Sequence, residues 1–278
     1  MMKLLPVERR HGPTREAFAA EFLTPSKPVV FTDLTQNWSA HQNWTINYFK
    51  KQYGHLMVPV VSKNHAQPGK YYLAAEKTIP FRDYLELLET GPTDLRIFLW
   101  NIFKSAPELR RDFNIPDIMD GFVNELPFMF FGGEGSSVGL HFDIDMSHVF
   151  LNQIYGRKRV ILFAPDQSRN LYQLPFTVAS LVDPRNPDYN RYPALANAVG
   201  YDIMLQPGES LFMPSGYWHF IEYTDGGYSI SLRSFGSVSS RMRGLANIAR
   251  LYMVDKSMNR LMGPGWKRVK EKMAERRV

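Results

Sequence analysis

The spacing of apolar and polar positions divides the chain into three stretches. Over residues 1–125 the period is mixed. Thr14 is placed to cap a helix carrying Ala17, Phe18 and Phe22, which Pro25 and Pro28 stop. The run Val29-Val30-Phe31 reads as a short buried strand. Thr45 is a second N-cap, ahead of Tyr48, Phe49 and Tyr53 at helical spacing, with Gly54 closing the helix. Residues 57–61 read as a strand, 81–88 as an amphipathic helix ending near Gly91-Pro92, and 95–103 as an aromatic β segment. Ser105 with Glu108 three positions later predicts a capping box for a helix through Phe113, and Pro116 is placed to open another.

Residues 126–236 change to short β runs broken by turns. The expected strands are 128–131, 138–142, 148–155, 159–163, 201–205, 210–213, 218–223 and 228–235. Tight turns stand at Tyr155-Gly156-Arg157 and Asp225-Gly226-Gly227, and a connection holding Pro175, Pro184, Pro187 and Pro193 divides the set. Eight strands of this length predict an antiparallel barrel or jelly roll, a mainly β fold with flanking helices. Residues 237–278 return to helix. Leu245, Ile248, Ala249 and Tyr252 line one face, and Trp266, Val269 and Met273 another after Gly263-Pro264-Gly265. Two such apolar stripes near a terminus predict packing on a second subunit, a homodimer. One catalytic domain with helical flanks accounts for all three stretches.

Composition narrows the chemistry. An apolar content of 44% over 278 residues is ample for a core. The absence of cysteine excludes a disulfide framework, a thiolate zinc site and a cysteine nucleophile, and fits a reducing compartment. The opening Met1-Met-Lys-Leu-Leu-Pro lacks the apolar run of a signal peptide, and no apolar stretch reaches membrane-spanning length, so the expectation is a soluble, cytoplasmic protein without membrane contact. The net charge of +6 is uneven: residues 241–278 carry eleven Lys/Arg against Asp255, Glu271 and Glu275. That basic segment reads first as the solvated face of terminal helices and second as a surface for an anionic partner such as nucleic acid.

Two short stretches carry the candidate chemistry. His141-Phe-Asp143 sets an imidazole and a carboxylate two positions apart, which on a strand is one face. The turn Pro214-Ser-Gly216 is placed to deliver His219 onto a following strand. Two imidazoles and one carboxylate, with the rest of the coordination sphere open, suit the facial arrangement of non-haem Fe(II) oxygenases; zinc is the chemical competitor for the same donors. Phe142, Phe150, Phe212, Tyr217 and Trp218 are candidates for walls of the site, against ordinary membership of the core.

Gly135-x5-His141-x-Asp143 and Gly208-x5-Pro214-x-Gly216-x2-His219 resemble the two motifs of the cupin superfamily, with Asp where many cupins have a second His. Together with Asn152-Gln-Ile-Tyr-Gly156-Arg-Lys158-Arg and Ile161-Leu-Phe-Ala-Pro165-Asp166, they resemble the JmjC or cupin-like branch of the 2-oxoglutarate oxygenases, and within it the asparaginyl hydroxylase that acts on hypoxia-inducible factor. The resemblance implies a double-stranded β-helix core. It also implies Fe(II) held by His141, Asp143 and His219, with 2-oxoglutarate and O2 as co-substrates and Lys158 as partner of the distal carboxylate of 2-oxoglutarate. Arg233, in period with Ser229 and Ser231, is a second cation for that carboxylate or for a substrate anion.

This chain departs from the asparaginyl hydroxylase at several polar positions. Val138 stands for a Thr, Val149 for an Asn, Arg233 or Ser234 for another Asn, and Phe98 for a Tyr. Two extra residues separate Asp143 from the strand that follows it. The implied reaction is decarboxylation of 2-oxoglutarate coupled to oxidation of a C–H bond, as a hydroxylase or as a demethylase. A protein side chain is the first substrate class, with tRNA or a small metabolite open. The alternatives are a cupin metalloenzyme without co-substrate and a non-catalytic cupin-like binding protein.

Overall fold

The computed structural model describes residues 1–62, 75–124 and 127–278, and the predicted division at 125/126 lies outside them. Six short strands precede the main β region among the described residues: β1 (Lys3–Pro6), β2 (Glu8–Arg10), β3 (Val29–Phe31), β4 (Met57–Val60), β5 (Lys77–Pro80) and β6 (Arg96–Trp100). Eight follow at the places the apolar runs predict: β7 (Phe128–Gly132), β8 (Ser137–His141), β9 (His148–Tyr155), β10 (Lys158–Phe163), β11 (Val199–Leu205), β12 (Ser210–Met213), β13 (Trp218–Tyr223) and β14 (Gly227–Ser234).

These eight are dealt to two facing sheets, β7, β9, β12 and β14 to one and β8, β10, β11 and β13 to the other. This is the expected jelly roll, a double-stranded β-helix. The first stretch is built into it: β2 and β3 extend one edge of the larger sheet, β6 extends the other, and β1 pairs in parallel with β11 of the smaller.

Period two sets three layers of core. Between the sheets lie Val149, Leu151, Val160, Leu162, Ile203 and Leu211. Behind the larger sheet, Phe131, Phe150, Phe212 and Tyr228 meet Phe18, Trp44, Phe49 and Phe81 of the N-terminal helices. The Phe18 and Phe212 rings meet edge to face at 4.9 Å. Behind the smaller sheet, Ile161, Phe163, Trp218 and Phe220 are covered by Leu171, Tyr172 and Tyr192 of the Pro-rich connection. Each fully buried aromatic or aliphatic side chain contributes roughly 1.5–3 kcal/mol, so the N-terminal helices are held chiefly by their aromatic layer.

Thr14 accepts from the Ala17 N–H at 3.2 Å and Thr45 from the Tyr48 N–H at 3.0 Å, as their capping roles require. The capping box at Ser105 does not form. Ala106 caps a 3-10 turn over Pro107–Asp112, and the Glu108 carboxylate instead accepts from the Tyr53 hydroxyl at 2.7 Å. Residues after Pro116 make turns, not a helix.

The C-terminal part runs through helix Val238–Ala249, a π-helical stretch Arg250–Lys256, helix Ser257–Met262 and, after Gly263 at φ 53°, helix Pro264–Glu275. Trp266 is buried and stacks on Phe176 with centroids 5.8 Å apart, so the second predicted stripe packs on its own chain. The first stripe stays open, with Leu245 60% exposed beside Met242 and Tyr252. No helix among the described residues is long and apolar enough to cross a membrane.

Candidate metal centre

His141 ends β8 and His219 lies second on β13, directly opposite it in the antiparallel register. Their ring centroids are 4.2 Å apart. The His141 Nδ1 faces the Gly139 carbonyl at 2.8 Å and the His219 Nδ1 faces the Tyr217 carbonyl at 3.2 Å. A carbonyl only accepts, so each Nδ1 carries the hydrogen and each Nε2 keeps its lone pair for a metal. This tying of one ring nitrogen is how metal-binding histidines are oriented.

Asp143 is not on the strand as predicted. β8 stops at His141, and Asp143 opens a turn in which the Met146 N–H donates to the Asp143 carbonyl at 3.1 Å. The turn still brings its carboxylate to the two imidazoles: the three ligand atoms lie within 4.8 Å of one another. Burial, with His219 alongside, pushes His141 down to about 4, so it is neutral at physiological pH. Burial alone would raise the Asp143 carboxyl, but the Arg233 guanidinium beside it outweighs burial and holds Asp143 well below the usual carboxylate range. Two imidazole nitrogens and one carboxylate oxygen on a single face fit a divalent first-row ion.

Arg233 is on the inner face of β14 with Ser229 and Ser231, because Ile230 and Leu232 point into the aromatic layer behind. Its guanidinium bridges Asp143 and Asp145 at 3.1 and 3.0 Å, and its Nη1 donates to the Ser147 hydroxyl at 2.9 Å. It therefore serves the metal end of the barrel.

Lys158 serves the other end. Of the run Arg157-Lys158-Arg159, the two arginines turn outward to Asp225 and Asp202 at 2.7 Å each, while Lys158 turns between the sheets and is 1% exposed. Its Nζ donates to the Ser229 hydroxyl at 2.5 Å and sits 4.4 Å from the centre of the Tyr223 ring. No carboxylate pairs with it among the described residues, and burial pushes it down to about 7. The Ser231 hydroxyl and the Gln153 Oε1, both on inward-facing positions, are buried without a partner among the described residues. Ser229 and Arg233 are four residues apart on β14, about 13 Å at ~3.3 Å per residue. A buried cation with unpaired polar neighbours is a receptor for an anionic group.

Of the predicted aromatic walls, only Tyr217 lines the cavity at the metal site, with Asp143, Ser147, Val149, Met213 and His219. Phe150 and Phe212 belong to the layer behind the larger sheet, and Phe142 packs on Trp218 at 4.8 Å. Val138 points inward because a bulge on β8 places it opposite Ile221, in phase with His141. Phe98 meets Phe130 at 5.8 Å. Tyr223 and Asp145 were not singled out from the sequence. Tyr223 was within reach, since it continues the His219–Ile221 face by period two; Asp145 was not, because a turn has no such period.

Comparison with known proteins places this geometry in a family. Residues 14–235 match the cupin-like domain, and the chain belongs to that family. It is 29% identical over 240 residues to lysine-specific demethylase 8 of Danio rerio, covering 81% of this chain and 57% of the relative. It is 29% identical over 254 residues to lysine-specific demethylase JMJ30 of Arabidopsis thaliana, with 83% and 57% covered. It is 28% identical over 251 residues to tRNA wybutosine-synthesizing protein 5 of Homo sapiens, with 82% and 77% covered. The chain thus spans little more than half the length of the demethylase relatives. These relatives support the JmjC and cupin-like family and do not single out the asparaginyl hydroxylase.

Proposed function

We propose that this chain is an Fe(II)- and 2-oxoglutarate-dependent oxygenase that oxidises a C–H bond of a protein side chain, as a hydroxylase or an N-methyl demethylase. The observation that carries the reading is the pairing, inside one barrel, of an open two-His-one-Asp face with a buried lysine lacking a counter-charge. A cupin enzyme without co-substrate, or a metal-holding binding protein, gives no reason to bury Lys158 uncompensated.

His141, Asp143 and His219 would hold the iron, and Lys158 with Ser229 would hold the distal carboxylate of 2-oxoglutarate. Iron, 2-oxoglutarate and O2 bound there would supply the oxidising chemistry, with succinate and CO2 as the co-products. The protein contributes positioning and exclusion of water. Tyr223 covers Lys158, while Val149, Met213 and Tyr217 present mainly apolar surface beside Asp143 and His219. Arg233 offsets the charge of Asp143.

A nucleoside of tRNA is the second reading of the substrate, supported by the basic segment 241–278 and by its place: Gly244 of helix Val238–Ala249 rests against the Asp145 carbonyl, next to the metal turn. The open stripe at Met242, Leu245, Ile248 and Tyr252 supports a homodimer through the same helix. The reading is tested by loading the chain with Fe(II) and following succinate with methyl-lysine peptides, unmodified peptides and tRNA. Succinate above the substrate-free rate with one class identifies it; no succinate and no binding of 2-oxoglutarate overturns the reading.

A further inference from the structure

Arg233 poses an electrostatic problem for a metal site. Its Nη1 lies 3.1 Å from Asp143 Oδ2 and its Nη2 donates to Asp143 Oδ1 at 3.3 Å, so the guanidinium faces both oxygens of the one anionic ligand. The charges of Asp143 and Arg233 alone sum to zero and would offer a divalent ion little electrostatic attraction. Asp145 changes that sum to −1. Its carboxylate accepts from Arg233 Nη1 at 3.0 and 3.2 Å, and its Oδ1 accepts the Ser147 N–H at 3.1 Å and the Ser147 hydroxyl at 2.9 Å. The Ser147 hydroxyl in turn accepts from Arg233 Nη1 at 2.9 Å, closing the network. The Asp145 backbone is fixed from outside: a Cβ on Gly244 would stand 2.5 Å from the Asp145 carbonyl oxygen, so helix Val238–Ala249 abuts this turn.

We propose that Asp145 is a positioning residue of the metal centre, acting through Arg233 to anchor the guanidinium and leave the cluster around the ligands with one net negative charge. This rests on the metal half of the function proposed above and not on its oxygen chemistry. Asp145 is not a ligand. It offsets the cation that orients Asp143, so that Asp143 is both held and available.

The test is Mn(II) affinity, read from the electron paramagnetic resonance signal of the free ion, without co-substrate and at neutral pH. Asp145→Asn is expected to weaken Mn(II) binding about tenfold, and Arg233→Gln to strengthen it by a similar factor, the scale of one charge acting on a divalent ion across a few ångströms at high effective dielectric. The double variant is expected to return near the wild-type value, and the charge-conserving Asp145→Glu to stay there. Equal affinity in wild type and Asp145→Asn, or weakening by both single variants, overturns the proposal, because damage to packing has no reason to reverse sign. Should Asp145→Asn fail to fold by circular dichroism, Arg233→Gln decides alone: tighter binding supports the proposal and weaker binding overturns it. A wild-type chain that binds no Mn(II) overturns the metal site itself, whereas unaltered binding across the variants overturns only the role of Asp145.

Discussion

His141 and His219 stand opposite each other on antiparallel strands with ring centroids 4.2 Å apart, each presenting Nε2 because its Nδ1 is tied to a carbonyl two residues earlier. The placement of the two imidazoles is therefore a property of strand register, set before any metal arrives. His219→Ala removes one of three donors and is expected to abolish the thermal stabilisation that Mn(II) gives the wild type. For the wild type that stabilisation is about 2.7 kcal/mol at a metal concentration one hundred times Kd. Melting curves with metal and with chelator check it; an equal metal-induced shift in the variant would remove His219 from the ligand set.

Lys158 is expected to show opposite effects on stability and on binding. Lys158→Met removes a buried charge that no carboxylate offsets, and is expected to stabilise the ligand-free protein by roughly 1–4 kcal/mol. The same change is expected to weaken 2-oxoglutarate binding on the order of 100-fold or more, the cost of losing a buried charged partner. Calorimetric titration and thermal melts read the two effects separately. A variant that melts lower and binds 2-oxoglutarate normally would show that Lys158 serves the fold alone.

The pH dependence follows from the same residue. Burial pushes Lys158 down to about 7 from the ordinary lysine value of 10.5. Between those values the unfolded chain binds the extra proton, so this residue makes stability rise with pH across about 7 to 10.5 and penalises the fold most below 7. A carboxylate needs the charged form. Affinity for 2-oxoglutarate is thus expected to be flat below about 7 and to fall about tenfold per pH unit above it, with uptake of a proton on binding. Titrations from pH 6 to 9 in buffers of different ionisation heat measure both, and Lys158→Arg is expected to remove the dependence.

Gly132 on β7 has a specific reason to lack a side chain: a Cβ there would lie 2.5 Å from the Tyr223 ring, which packs against Lys158. Gly132→Ala is expected to cost roughly 1–3 kcal/mol as an overpacked core position. Because Tyr223 must shift, it is also expected to raise the KM for 2-oxoglutarate more than it lowers kcat. An unchanged KM would mean that Tyr223 has no part in shaping that end of the barrel.

The β core was legible in the sequence because its signal is local and repeated. Alternation along each run separated the faces, so Arg233 could be put in phase with Ser229, whereas Lys158 stood out from Arg157 and Arg159 only through the resemblance to the 2-oxoglutarate oxygenases. His141 and His219 were legible because glycine and proline turns lead into both strands. What failed depended on contacts across the chain. Asp143 left its strand because β8 stops at His141, yet the turn kept it in reach. Phe150 and Phe212 fit a pocket wall equally well by pattern, and only the docking of Phe18 from the N-terminal helix assigns them to the core. Ser105 and Glu108 match a capping box in spacing, but Tyr53, far earlier in the chain, captures the glutamate. The outward stripe at Trp266 found its cover in Phe176 of the same chain. Arg233 was expected to serve a ligand carboxylate or a substrate anion, and its pairing with Asp143 and the turn residue Asp145 left no trace in the local pattern.

The most direct measurement is spectroscopic. Fe(II) and 2-oxoglutarate are added to the purified protein in the absence of oxygen, and the visible spectrum is recorded before and after air is admitted. An open two-His-one-Asp face with Lys158 behind it is expected to give the weak metal-to-ligand charge-transfer band of chelated 2-oxoglutarate, followed on exposure to air by its loss and by succinate. A sample shown to contain iron that gives neither the band nor succinate would contradict the assignment of this chain as a 2-oxoglutarate-dependent oxygenase.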